Sequence, residues 1–314
     1  MDYPFANGVV KAIESQLLDR VKYAKLAKAA SRREFLAQLA GFGRGDGTAD
    51  LADVLAAEML SLRRRFQEIT PDPFLTDLFF LSADALNLKI LSKEIRYGAS
   101  VPGGLSPLGA IDANLLAHAV RNGDGTDLPS RIRPFVEEAL GAAEAASSPR
   151  ALAAGIDSAL AAFRLRSLPR RGAEALRIHF SAVSDFANLT SLLRSRLLGW
   201  DEDGFREMLL PGGLIPEETL LSAWSRDDAL VPSAFRDFYA EKPSRILKRG
   251  LETKNGEDLE RAFAQLLLDL AKEESHDPFG IGPIVYYWLK KDAEGKNLRR
   301  LAAEGQNGLS ALLD

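Results

Sequence analysis

The sequence predicts an all-α protein made of three similar helical domains. Leu, Ala, Glu, Arg and Lys, all good helix formers, dominate its 314 residues. Apolar residues recur at helical spacing along most of the chain, and no stretch sustains period-2 alternation flanked by hairpin turns. An acid-x-x-Asn-Leu motif returns three times, with spacings of 101 and 109 residues between its asparagines.

Each element follows from local patterning. Val10, Ile13 and Leu17 stand at i, i+3, i+7, which predicts a first helix with Lys11, Glu14 and Gln16 on its other faces. A second helix is predicted from Ser31 to Leu39, with Ser31 as N-cap and Glu34 at the capping-box position. Gly41 to Gly47 stops it as a flexible loop. Leu51 to Phe66 reads as a further helix, and Pro71-Asp72-Pro73 breaks the chain because proline lacks an N–H and restricts its predecessor. Later breaks are predicted at Asn122-Gly123-Asp124-Gly125, Ser147-Ser148-Pro149, Pro211-Gly212-Gly213 and His276-Asp277-Pro278.

The repeat supplies the domain plan. Asp84, Asn87, Leu88 and Leu91 match Asp185, Asn188, Leu189 and Leu192, then Glu294, Asn297, Leu298 and Leu301. The leucine pairs, three apart, share a helix face. Gly98, Gly199 and Gly308 follow at the same distance and suit the left-handed residue that ends a helix. Pro102-Gly103-Gly104-Leu105-Ser106-Pro107 returns as Pro211-Gly212-Gly213-Leu214-Ile215-Pro216, and Asp72-Pro73-Phe74 returns as Asp277-Pro278-Phe279. Units near a hundred residues match the size of small domains. The expected boundaries are 1–105, 106–215 and 216–314.

Composition narrows the function classes. A net charge of −4 disfavours a nucleic-acid surface, which needs a basic excess. The chain has no cysteine, so disulfides and thiolate metal sites are excluded and a reducing compartment is expected. The N-terminus lacks the pattern of a secretory signal. The apolar stretch Ile284 to Leu289 is too short to span a bilayer, so the chain is expected to meet a membrane from outside, if at all.

At this point the residues resemble a known family, the C subunits of V/A-type rotary ATPases, related to the d subunit of the vacuolar type. The N-terminal run Tyr3 to Glu14 is similar to the family's opening helix, and Asp84 to Gly98 and Asp185 to Gly199 resemble its acid-x-x-Asn-Leu helices. Asp277 to Lys291, followed by Glu294 and Lys296 to Arg299, looks like its closing motif, where an aromatic and aliphatic helix passes into a charged one. The resemblance covers nearly the whole chain in order and is weakest at 40–70 and 120–180. It implies a pseudo-threefold funnel of three helical domains. It implies a non-catalytic central-stalk component between the shaft, formed by the D and F subunits, and the membrane proteolipid ring, peripheral on the cytoplasmic face. No cofactor, metal, nucleic acid or small-molecule substrate is implied.

Other motifs could suggest chemistry. Gly41-Phe42-Gly43-Arg44-Gly45-Asp46-Gly47 has no preceding strand and no following Gly-Lys-Ser/Thr, which argues against a phosphate loop. Asn122 to Asp127 opens like a calcium loop, yet its twelfth position is Arg133 rather than glutamate, so a solvated turn is expected. His118, His179 and His276 lack zinc spacing, and His118 reads as a packed or partly exposed helix residue. Arg63-Arg64-Arg65, and Arg164, Arg166, Arg170 and Arg171, read as solvated helix faces, with an acidic partner or lipid headgroups as the functional alternative. Tyr286, Tyr287 and Trp288 read as core anchors, with membrane-interface seating as the alternative. Asp84, Asp185 and Glu294 as acid–base carboxylates are set against a structural role, each favouring a helix N-terminus through its dipole. Asn87, Asn188 and Asn297 are expected to bond backbone or one another. The structural reading is preferred, with direct partner contact as the alternative. Two rival functions remain: a helical scaffold or adaptor, which would repeat at shorter period, and a helical enzyme, for which Asp227-Asp228 is too little.

Overall fold

The computed structural model describes residues 3–98 and 104–314. Among them are fourteen α-helices and no strand. They run α1 (Pro4–Glu14), α2 (Arg20–Leu26), α3 (Arg32–Gly41), α4 (Leu51–Ile69) and α5 (Pro73–Tyr97), then α6 (Ala113–Asn122), α7 (Arg133–Ala145), α8 (Pro149–Arg166) and α9 (Glu174–Leu197). The short α10 (Glu202–Arg206) precedes α11 (Glu217–Trp224), α12 (Lys242–Thr253), α13 (Gly256–Glu274) and α14 (Gly282–Glu304).

Local chemistry sets most boundaries. Proline starts α1, α7, α8, α12 and α14 at their first turns, where its missing N–H costs nothing. Ser31 caps α3 by accepting from the Glu34 N–H at 3.2 Å, while the Glu34 carboxylate accepts from Ala30 N rather than Ser31 N. Gly98 and Gly199 end α5 and α9 with φ of 64° and 66°, the left-handed geometry glycine tolerates. Two expectations shift. The first helix begins at Pro4 and stops at Glu14, leaving Leu17 in the turn beyond. Gly308 lies inside a 3₁₀ segment, Gly305–Ala311, and Gly305, with φ of 57°, ends α14 instead. Of the first Pro-Gly-Gly turn, Pro102 and Gly103 lie outside the described residues.

Helix lengths repeat along the chain. A helix of 19, 18 and 19 residues (α4, α8, α13) precedes one of 25, 24 and 23 (α5, α9, α14) each time. Each pair follows two shorter helices, α2–α3, α6–α7 and α11–α12.

The chain forms two compact units. One joins the residues up to Pro73 with Ala264–Asp314. Its core packs Leu26, Phe35, Leu39, Val54 and Leu55 against Leu298 and Leu301, so α14 is the rod on which α2, α3 and α4 close. Each such buried leucine contributes about 1.5–3 kcal/mol.

The second unit is Phe74–Phe263. Helices α7 and α8 pair closely where Gly155 faces Ala142. Phe163 of α8 meets Phe74 of α5 at 6.3 Å and Phe135 of α7 at 5.7 Å between ring centroids. Further along, Phe186 of α9 stacks on Phe263 at 4.9 Å. Tyr239, Ala240 and Glu241, before α12, carry φ of 50°, 52° and 63°, a left-handed run that costs non-glycine residues roughly 1–2 kcal/mol each.

Candidate functional site

The three copies of the motif sit on the long helices α5, α9 and α14, with acid and asparagine three residues apart on one face. All six side chains are at most 3% exposed. Buried amides and carboxylates need partners, and the backbone supplies them in the same way each time.

Each asparagine clamps a single residue of the connection that leaves its helix or of the chain's last turn. Asn87 Nδ2 donates to Ser106 O at 2.9 Å, and Ser106 N donates to Asn87 Oδ1 at 2.7 Å. Asn188 does the same to Leu210 at 2.9 and 2.7 Å, and Asn297 to Leu313 at 2.9 and 2.8 Å. The amide imitates a strand neighbour, donor and acceptor side by side. The asparagines bond backbone, and each pairs with its own segment rather than with another asparagine.

Each acid holds the N–H groups just before a helix. Ala110 N and Ile111 N donate to Asp84 Oδ2 and Oδ1 at 2.6 and 3.2 Å, ahead of the α6 cap Asp112. Leu214 N and Ile215 N donate to Asp185 at 2.8 and 3.1 Å, ahead of α11. Leu18 N donates to Glu294 Oε2 at 2.7 Å, ahead of the α2 cap Asp19. The residue served thus precedes a helix other than the acid's own. Gly109 and Gly213 press on the first two carboxylates so closely that a Cβ at either would overlap the oxygens.

The copies differ in what completes them. The Tyr239 hydroxyl donates to Asp185 Oδ2 at 2.5 Å and anchors the left-handed run. Burial pushes the Asp185 carboxyl above its ordinary range, opposed by that hydroxyl and the two backbone N–H groups. Burial, then the neighbouring carboxylate, pushes the Tyr239 phenol up. Around Glu294 stands a closed ionic quartet. Lys291 Nζ lies 2.6 Å from Glu294 and 2.8 Å from Glu58, and Arg44 reaches Glu58 at 2.8 Å and Glu294 at 3.3 Å. Arg44 also donates to Gln16 O at 2.8 Å. The glycine-rich loop is therefore an anchored arm. Gly43 and Gly45 flank Arg44 with φ of 79° and 71°, and Gly45 lies against Val54.

Other residues singled out by sequence fall elsewhere. Arg164 is buried, not solvated, and donates to Leu78 O at 2.9 Å, Phe79 O at 3.3 Å and Ser82 Oγ at 2.7 Å on α5. Burial lowers its pKa to about 10, still cationic at neutral pH. Arg166 pairs with Glu138 at 2.6 Å. His179, buried against Phe79 and Phe180, is held down at about 3 by burial and then by Arg164. His118 is exposed and bonds Asn122 at 2.9 Å, and His276 is exposed. Asp124 accepts from Thr126 N at 2.9 Å in the turn after α6. Tyr287 is buried, and Tyr286 and Trp288 half-buried. No helix among the described residues is long and apolar enough to cross a membrane.

The clamped residues Ser106, Leu210 and Leu313, together with Tyr239 and Arg44, were missed from sequence. A backbone partner leaves no mark on residue identity, and only the recurring spacing of the turns hinted at it. Chemically, the motif fixes chain segments to long helices; both oxygens of Asp84 and of Asp185 are engaged by backbone donors.

The chain is similar to known proteins along most of its length. The A-type ATP synthase C subunit of Methanothermobacter thermautotrophicus is 24% identical over 327 residues, covering 96% of this chain and 83% of that protein. The protein of the same name from Methanocaldococcus jannaschii is 23% identical over 333 residues, covering 95% and 82%. That of Pyrococcus abyssi is 26% identical over 129 residues, covering 40% of this chain and 34% of its own length. Residues 6–311 match the family described as ATP synthase (C/AC39) subunit, and the chain belongs to that family.

Proposed function

We propose that the chain is the non-catalytic central-stalk component of a V/A-type rotary ATPase, joining the shaft of the D and F subunits to the membrane proteolipid ring. The observation that carries the reading is the family match over residues 6–311, in a chain whose three buried acid–asparagine pairs all serve backbone. Three domains, each built on one long helix, would stand around a pseudo-threefold axis as a funnel, their packed limits offset along the chain from the sequence repeats 1–105, 106–215 and 216–314. Each long helix takes the shorter helices that follow it in the chain, and α14 takes α2 to α4. Asp84, Asn87, Asp185, Asn188, Glu294 and Asn297 are structural in this account, and partners meet the outer faces.

The work is mechanical. Close-packed helices resist deformation, and a bidentate buried clamp keeps connections from sliding along their helices under torque. Exposed ionic contacts to the shaft are specific and screened by salt, which lets the sectors separate. The chain sits at the cytoplasmic face of the membrane without entering it, and passes rotation to a ring that moves protons or sodium ions.

Size-exclusion chromatography of the chain mixed with the D–F pair and with detergent-solubilised ring tests this. Co-elution with each is expected. Separate elution from both contradicts the assignment.

A further inference from the structure

We infer that the cavity between α5, α8 and α9 binds a small monocarboxylate with a short apolar tail, its carboxylate seated on the Arg164 guanidinium.

The first observation is a buried cation without a carboxylate of its own. Arg164 is 7% exposed. A charge so enclosed is normally paired, yet its hydrogen-bond acceptors are all neutral: Leu78 O, Phe79 O and the Ser82 hydroxyl. Asp157 and Asp84 act on it only from a distance. Each is already engaged, Asp157 by Lys89 Nζ at 2.5 Å and Asp84 by the N–H groups of Ala110 and Ile111. Nε and Nη2 of Arg164 make its three bonds, so Nη1 is the nitrogen left for a ligand.

The second is where that guanidinium stands. A cavity of about 290 Å³ is lined by Arg164, by its partner Ser82 and by Phe180, whose ring centre lies 5.0 Å from the guanidinium carbon. Ser184, 1% exposed, lines it too, and its hydroxyl meets no protein group among the described residues. A charged donor and an unpaired hydroxyl thus share one cavity.

The third is the remaining wall, which selects the ligand. Leu160, Val183, Ala187 and Leu210 make it apolar, and the Asn188 clamp fixes the backbone of Leu210. The volume corresponds to roughly ten waters, enough for a carboxylate and a tail of about five carbons. Apolar walls with a few polar anchors suit such a ligand. Inorganic phosphate is a poor match, because the Asp157 carboxylate also lines the cavity and repels a second negative charge.

Sodium hexanoate, titrated into the full chain while backbone NMR shifts are followed, tests the site. Saturating shifts are expected at residues 82, 164, 184 and 187, with a rise in Tm. Hexanamide, of the same size without the charge, should bind roughly tenfold more weakly, as should inorganic phosphate. Arg164→Leu would strand three acceptors and destabilise the fold, so two milder variants decide. Ala187→Leu extends a half-buried wall position into the cavity at no cost in helix propensity. It should stay folded and lose hexanoate binding. Ser184→Ala removes the unpaired hydroxyl and should weaken hexanoate roughly threefold or more. No saturation by hexanoate, equal binding of hexanamide or phosphate, or wild-type affinity in either folded variant overturns the site.

Discussion

Asn188 and its two counterparts show why one residue type recurs where charge or bulk would fail. Leucine has neither donor nor acceptor for the backbone of Leu210, and aspartate has no donor for its carbonyl. Asn188→Leu therefore strands a buried N–H and C=O, each worth about 1–3 kcal/mol. Urea unfolding is expected to show a loss of about 2–4 kcal/mol, and a loss below about 1 kcal/mol would remove the clamp from the account. His179 gives a pH test. Its folded-state pKa of about 3 lies below the unfolded value near 6.5. The unfolded chain thus binds the proton first, and stability is full above pH 6.5 and falls as pH drops toward 3. Between pH 7 and pH 5 the site should cost about 2 kcal/mol, and His179→Leu should lack that component of the pH profile. At this scale the sequence displayed the acid, the asparagine and the leucine pair plainly. It hid Tyr239 and Arg44, whose partners are distant in sequence, and it misread Arg164, because a buried and an exposed arginine look alike until the carbonyls of α5 are in place.

The helices themselves were legible wherever a cap, a proline or a left-handed glycine marked an end. Ser31, Pro149 and Gly199 all act where their chemistry predicts. Boundaries failed where tertiary contacts decide. The first helix reaches back to Pro4 because Asn7 and Tyr3 bind the turn before α14, and α14 stops three residues ahead of Gly308 at Gly305. The connections after α5 and α9 are set by Gly109 and Gly213, which let backbone lie on the Asp84 and Asp185 carboxylates. Gly213→Ala should overlap the Asp185 oxygens and cost about 1–3 kcal/mol. Its effect should fall well below additivity when combined with Asp185→Ala, since both act on one contact. Equal, additive losses in the double variant would show that the glycine serves the turn alone.

At the scale of the whole molecule, the threefold recurrence was readable and the closure was not. A motif read along the chain does not say which long helix the next short helices pack on. The compact unit that joins residues up to Pro73 with Ala264–Asp314 does so because Glu294 takes the N–H of Leu18, Asn7 donates to the carbonyls of Pro278 and Gly280, and Lys291 pairs with Glu58. Beginning and end of the chain complete one core, as a continuous segment does around Asp84 and Asp185. The proposed coupling role would draw on such closure, which holds two distant chain segments to one long helix. The most direct measurement is ATP-driven ion uptake into membrane vesicles stripped of this protein and supplied again with the purified chain. Uptake should be absent without the chain and restored with it, in proportion to ATP hydrolysed. Hydrolysis that continues with no uptake after the chain has been added back would contradict the coupling role.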